Sequence, residues 1–316
     1  MKHLLTIGDL DREQVETLLE RAESFAEVTR RDIKKVPTLR GRTIVTLFYE
    51  SSTRTSSSFE LAAKRLSADV VSVKASGSSV DKGESLKDTV ETLSAYDPAA
   101  IVIRHPYAGA AQMLTNWVGA SVINAGDGMH QHPSQALLDV FTLRNRLGSL
   151  EGRNIWIVGD VLHSRVARSN IEAFQLMGAK VTVCGPPTLI PRGIESSGCE
   201  VRYSLDDLDE ADVIYLLRMQ HERMSENFVP SIREYARLFQ VNERRLGPRQ
   251  LVMHPGPVNR GVEIGSRVID SGQSLISEQV ASGLAVRMAI LYELLTSNDE
   301  DAGQTPSGPV SIGEPA

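Results

Sequence analysis

The sequence predicts an α/β fold of two domains, each a parallel β-sheet flanked by helices, with the C-terminal helix returning to the first domain. Three observations carry that reading. Short apolar runs alternate with helical patterns from residue 43 to residue 254, as parallel strands covered by helices on both faces require. The 316 residues are too many for one small core, and eight strand-like runs in two sets suit two sheets better than one. The last helical run, SEQVASGLAVRMAILYELL (277–295), is apolar on several faces and needs covering.

The elements follow in order. A helix opens at Asp11, because Val15, Leu18, Leu19, Ala22, Phe25 and Ala26 recur at helical spacing behind an acidic first turn. VPTLRG (36–41), punctuated by Pro and Gly, separates it from the strand TIVTLFYE (43–50). SFELAAKRL (58–66) is helical, DVVSVKA (69–75) a strand and ESLKDTVETLSA (84–95) a helix. AAIVIR (99–104) and SVINAG (121–126) are strands, and QALLDVFTLRNRLG (135–148) is a long helix at the boundary. A fresh set of strands then starts: NIWIVGD (154–160), KVTVCG (180–185), DVIYLLR (212–218) and QLVMH (250–254). The first domain therefore takes residues 1–140 with the returning helix 277–296, and the second takes 150–276. Residues 297–316, polar and rich in Pro and Gly, read as a disordered tail.

Composition narrows the function. The chain is 41% hydrophobic and 23% charged, which excludes wholesale disorder. Lys plus Arg is 34 against 40 Asp plus Glu, a net charge of −6, which argues against nucleic acid as the main partner. Small anions need only a local pocket. No run approaches the ~20 apolar residues of a membrane helix, and the start, MKHLLTIGDLDREQ, does not read as a targeting segment. Cys184 and Cys199 are too few for a disulfide scaffold, and a reducing cytoplasm is the simplest location.

In open parallel sheets, ligands bind outside the carboxyl ends of the strands, so the chemistry belongs in the loops there. FYESSTRTSSSFE (48–60) is the sharpest: seven Ser and Thr hydroxyls surround Arg54 where a helix begins. Free N–H groups, a helix dipole, hydroxyls and a guanidinium together suit a phosphate and exceed what capping alone needs. There is no GxxxxGK[ST] loop, and no GxGxxG follows a strand. IRHPYAG (103–109) places Arg104 and His105 at a strand end. AGDGMHQHPSQALLD (125–139) offers His130, His132 and Gln135, with Pro133 suited to the first helical position. A metal reading of the two histidines finds no third ligand at useful spacing. His132 and Gln135 serve better as hydrogen-bonding groups for a carbonyl. In the second half, Arg165 follows one strand at a helix start, and Arg218 and Gln220 follow another. Two strand-end arginines fit a dicarboxylate, since each planar fork bonds both oxygens.

STRT (52–55), SGSSVDKGESLKDT (76–89), RHP (104–106) and HPSQ (132–135) resemble, in this order, the carbamoyl-phosphate domain of the carbamoyltransferase family. The resemblance covers about residues 1–296. LRMQ (217–220) and HPGPVNRG (254–261) stand where the ornithine-using branch has other segments, so the aspartate-using branch is the one resembled. A cationic ornithine side chain would be repelled by Arg218. The resemblance implies carbamoyl transfer from carbamoyl phosphate to the α-amino group of L-aspartate, a step of de novo pyrimidine biosynthesis, with no metal or organic cofactor.

It also implies roles. Ser52, Thr53, Arg54 and Thr55, with Arg104, would hold the phosphate. Thr55, Arg104 and His132 would donate to the carbonyl oxygen. Gln135 and the backbone of Pro255, Gly256 and Pro257 would accept from the carbamoyl NH₂. Arg165, Arg218 and Gln220 would grip the carboxylates of aspartate, and Lys82 would neutralise phosphate and carboxylate together. The expected assembly is a cyclic homotrimer with shared active sites, Lys82 reaching its neighbour's site, and a larger assembly with regulatory or dihydroorotase chains stays open. Ser56 stands where the family often has Arg, which is expected to alter ion pairing only. Two alternatives remain: a different acceptor amine, and a non-catalytic sensor of carbamoyl phosphate. The second would have lost some of Arg54, Thr55, Lys82, Arg104, His132 or Arg165, and all are present.

Overall fold

Asp11 starts the first helix as its pattern requires. Its carboxylate accepts from the Gln14 N–H at 2.8 Å while the Gln14 side chain accepts from the Asp11 N–H at 3.0 Å, a reciprocal cap for α1 (Arg12–Arg30). The computed structural model describes residues 1–74, 83–219 and 228–302. The first half continues with β1 (Thr43–Phe48), α2 (Thr53–Arg65), β2 (Asp69–Lys74), α3 (Leu86–Ser94), β3 (Ala100–His105), α4 (Ala110–Leu114) and β4 (Ser121–Asp127). α5 (Pro133–Leu147) leads to the second half: β5 (Asn154–Val158), α6 (Arg165–Leu176), β6 (Lys180–Cys184), β7 (Glu200–Arg202), β8 (Val213–Leu216), α7 (Ile232–Phe239), β9 (Leu251–Met253), α8 (Ser266–Ile269) and α9 (Ile276–Ala302).

The strands form two parallel sheets, ordered β2-β1-β3-β4 and β7-β6-β5-β8-β9. Both faces are buried along the central strands, where side chains alternate between them. Ile44, Ala100 and Val102 face the core under α1, α2, α5 and α9, while Val45, Leu47, Ile101 and Ile103 face that under α3 and α4. Ile155 and Ile157 face α6, and Trp156 and Val158 face α7 with Tyr235 and Phe239. One apolar cluster runs continuously from the first sheet to the second through α5 and α9.

α9 returns to the first half, packing on α1, α2 and α5. Phe25 meets Tyr292 edge-on with centroids 5.7 Å apart, and Arg21 pairs with Glu293 at 2.9 Å. Its helical backbone runs to Ala302, past the start at residue 297 expected for a disordered tail. No Gly or Pro interrupts 296–302, and Gly303 follows. Residues 303–316 of that expected tail lie outside the described residues. α2 begins at Thr53 rather than Ser58, so STRT occupies its cap and first turn. The hydroxyl-rich stretch around Arg54 is the helix start expected there, and Ser and Thr suit its cap. Among the described residues no helix is long and apolar enough to cross a membrane. Cys184 and Cys199 are free and buried, and burial pushes the Cys184 thiol up to about 12.

Candidate active site

Strand order reverses between β1 and β3 in the first sheet and between β5 and β8 in the second. Those are the switch points outside which a crevice opens. Glu50 and Arg54 follow β1, and Arg104 ends β3. Asp160 and Arg165 follow β5, and Arg218 follows β8.

Three helix N-termini open on the same loops, those of α2, α5 and α6. None of the three carries an acidic residue in its first turn. α1, α3, α7 and α9 do, in Glu13, Asp88, Glu234 and Glu278. Acids there neutralise the positive end of the dipole. α2, α5 and α6 lack them, as do the short helices α4 and α8, and so keep that potential for an anion.

The residues predicted from sequence distribute as follows. Ser52 is the half-buried cap of α2 in extended conformation, with no side-chain capping bond. Thr53 is exposed and Thr55 buried. Arg54 is exposed, and its guanidinium lies against Gly256, where an added Cβ would sit 2.8 Å from Cζ. A side chain at Gly256 would displace it, and the residue's φ of +63° also favours glycine. Pro257, next to it, is exposed.

Arg104 donates from Nε to Glu50 Oε2 at 3.2 Å and from Nη1 to the Ala125 carbonyl at 3.5 Å. Arg165, 3% exposed, donates from Nη2 to the same Glu50 oxygen at 2.5 Å and from Nη1 to the Gly128 carbonyl at 3.1 Å. Its shaft crosses Gly126, leaving no room for a Cβ. Glu50 therefore joins an arginine of the first sheet to one at the start of α6. His105 packs between Tyr49 and Tyr107, accepts from the Tyr107 N–H at Nδ1, and has its pKa lowered by burial.

His132 is buried and ends the β4–α5 loop, its N–H donating to Ser169 Oγ on α6 at 2.8 Å. Pro133 takes the first position of α5. Gln135, in that first turn, donates from Nε2 to Asp139 Oδ1 at 3.1 Å. Arg218 is half-buried just past β8. Lys82 and Gln220 lie outside the described residues.

The site thus assembles Arg54, Arg104 and Arg165 with three unneutralised helix ends and a loop at 254–257. Such an arrangement suits an anionic ligand on the first sheet and a second on α6. Comparison with known proteins accords with it. A family model described as aspartate/ornithine carbamoyltransferase, carbamoyl-P binding domain, matches residues 2–145, and one described as aspartate/ornithine carbamoyltransferase, Asp/Orn binding domain, matches residues 151–294. The chain belongs to the aspartate/ornithine carbamoyltransferase family.

Within that family it is 56% identical over 299 residues to the aspartate carbamoyltransferase catalytic subunit of Acidothermus cellulolyticus, with 93% of each chain covered. It is 53% identical over 312 residues to that of Mycolicibacterium smegmatis, covering 95% of this chain and 98% of the relative. The catalytic subunit of M. jannaschii aspartate transcarbamoylase matches with a TM-score of 0.84 at 35% identity, covering 95% of this chain and 99% of that one. Aspartate transcarbamoylase from Trypanosoma cruzi in complex with N-(phosphonacetyl)-L-aspartic acid matches with a TM-score of 0.84 at 30% identity, covering 93% and 96%.

Sequence reading missed Glu50, Asp139, His254 and Gln279. An acid at a strand end directly before an Arg-bearing loop marks Glu50, and four-residue spacing from Gln135 marks Asp139. Gln279 carries no local signal.

Proposed function

We propose that this family member transfers the carbamoyl group of carbamoyl phosphate to the α-amino group of L-aspartate, giving N-carbamoyl-L-aspartate and phosphate. The observation that carries the reading is the set of three helix N-termini without acidic first-turn residues, facing loops that hold Arg54, Arg104 and Arg165. One substrate in this scheme brings a phosphate and the other brings two carboxylates, so every ligand charge meets a cation or a dipole of the right sign.

Ser52, Thr53, Arg54 and Thr55 hold the phosphate at the start of α2, with Arg104 beside them. Thr55, Arg104 and His132 donate to the carbonyl oxygen as negative charge develops there. Gln135 and the carbonyls of 255–257 accept from the NH₂ group. Arg165, Arg218 and Gln220 engage aspartate, and Lys82 bridges the charges. The aspartate nitrogen attacks the carbamoyl carbon, the carbon–oxygen bond to phosphate breaks, and the departing phosphate takes a proton from the new N–H₂ centre. Glu50, the carboxylate just past β1, accepts from two arginines and is not offered as the base. Holding both substrates in attack geometry lowers the barrier by several kcal/mol, on the order of 10 at best.

The assembly we propose is a cyclic homotrimer in a reducing cytoplasm, acting in pyrimidine biosynthesis. Tyr49, Leu86, Tyr107, Met113 and Trp117 line a groove directly after residue 82, and Tyr107 is 73% exposed. A second copy seated there would bring Lys82 to a neighbouring site. Calorimetry with N-(phosphonacetyl)-L-aspartate, which joins both anionic ends in one molecule, tests the reading. Tight binding that excludes both carbamoyl phosphate and aspartate is expected. Binding that leaves either substrate able to enter would sink it.

A further inference from the structure

Asp139 lies wholly buried on α5 and takes no part in the chemistry above. Its carboxylate collects four donors from four elements. Oδ1 accepts from Gln135 Nε2 at 3.1 Å and from Gln279 Nε2 at 2.7 Å. Oδ2 accepts from Asn170 Nδ2 at 3.0 Å and from the Tyr215 hydroxyl at 2.7 Å. Four is the full acceptor capacity of an ionised carboxylate.

Gln279, on α9, passes the constraint onward. Its Oε1 accepts from the His254 N–H at 3.0 Å. The Gly256 N–H donates to His254 Nδ1 at 2.8 Å. Because Nδ1 accepts, the neutral ring carries its hydrogen on Nε2, which lies 3.1 Å from Glu263 Oε1. Glu263 Oε1 also accepts from the Asn259 N–H at 2.6 Å. The loop of Pro255, Gly256 and Pro257 is therefore held from both ends by a chain that starts at Asp139.

We propose that Asp139 is a positioning residue that sets both acceptor groups for the carbamoyl NH₂, the Gln135 side-chain oxygen and the 255–257 carbonyls. This rests on the reading of Gln135 and that loop given above. A carboxylate only accepts, so each glutamine must turn its nitrogen inward. An amide that turns one N–H onto Asp139 presents its oxygen on the other side, to a ligand or to the His254 N–H. Asparagine in the same place would accept with one atom and donate with the other. At least one of the four partners would then face a donor and turn away or lose its bond. Asp139 thus makes an NH₂ group, rather than a methyl of the same size, the preferred substituent beside the carbonyl.

The test compares two stable ligands that differ in that group: phosphonoacetamide, which carries the NH₂, and acetonylphosphonate, which carries CH₃. Calorimetry on the full chain gives their affinity ratio, with inorganic phosphate as a measure of the intact anion site. The parent should prefer the amide by about tenfold or more, as two neutral hydrogen bonds imply. Asp139→Asn should bring the ratio to within about twofold while phosphate binds as before. A parent-like ratio in Asp139→Asn overturns the proposal. Gln135→Ala separates the levels: if it also leaves the ratio at the parent value, the reading of Gln135 itself fails. Should Asp139→Asn not fold, Gln279→Met carries the test, since it keeps side-chain length and removes the bond to Asp139 together with the link to His254, leaving Gln135 on Asp139. At least a threefold loss of preference, about half the logarithmic effect, is expected of it. An unchanged ratio there equally overturns the proposal.

Discussion

The Glu50 carboxylate holds the Arg165 guanidinium at 2.5 Å, tying the loop after β1 to the first residue of α6. The same oxygen holds Arg104 at 3.2 Å. The arginine proposed for the phosphate side and one proposed for aspartate thus share one anchor. Glu50→Ala should remove one charge partner of the buried Arg165 and shift both guanidinium groups. Steady-state kinetics should show kcat down about tenfold or more and KM raised for both substrates. Damage confined to one substrate would show that the shared anchor is not felt.

Arg54 and Gly256 make a second contact that can be tested with its own control. Arg54→Ala should lower kcat by several orders of magnitude, because its charge helps the departing phosphate most in the transition state. A loss of less than about tenfold would remove STRT from the phosphate site. Gly256→Ala should act partly through the same arginine, since the new Cβ falls 2.8 Å from Cζ. Gly261→Ala imposes a similar left-handed strain, φ +82°, with no atom within 4 Å of the Cβ. The first should reduce kcat clearly more than the second. Equal effects would assign the loss to backbone strain alone.

Burial pushes the Asp139 carboxyl up to about 6, against four donors that hold it down. The groups facing it that bear or can bear charge are Tyr215, whose hydroxyl is held well above its usual range, and Arg287, lowered to about 10 by burial with Asp139 opposing. The folded state therefore binds a proton at Asp139 more tightly than the unfolded chain, whose carboxyl titrates at 3.8. Its contribution to stability is present below 3.8 and is lost as pH rises to about 6. Asp139→Asn has no such term. Denaturation of parent and variant at a series of pH values should show the variant gaining relative stability from pH 4 to pH 7. A difference constant with pH would contradict the raised value.

Lys82 tests the shared site. Arg54→Ala and Lys82→Ala chains should each be nearly inactive alone. Dissociated, mixed in equal amounts and reassembled, they should regain about a quarter of full activity, one half times one half of sites pairing intact partners across a closed ring. Mixed trimers that form and stay inactive would show that Lys82 serves its own chain or none.

The fold was legible because strands buried on both faces read as near-continuous apolar runs, as in 43–48 and 154–158. β7 escaped notice: three residues at a sheet edge, two of them charged, leave no apolar signature. The hydroxyl-rich start of α2, proposed above for the phosphate, was legible because its hydroxyls and Arg54 are neighbours in sequence. The pairs that position the site are not neighbours. Glu50 and Arg165 are 115 residues apart and Asp139 and Gln279 are 140 apart. They meet only because α6 and α9 both pack on α5, and no local spacing encodes that packing.

The most direct measurement is phosphate release from carbamoyl phosphate, with carbamoylated product identified, as aspartate, ornithine and putrescine are varied in parallel. Arg165 and Arg218 are the residues proposed to meet the acceptor amine's own charges. Saturable release with aspartate, giving N-carbamoyl-L-aspartate in equal amount, is the predicted result, and the two cationic amines should give none above background. Transfer to ornithine or putrescine in preference to aspartate, or release that does not respond to any amine, would contradict the assignment.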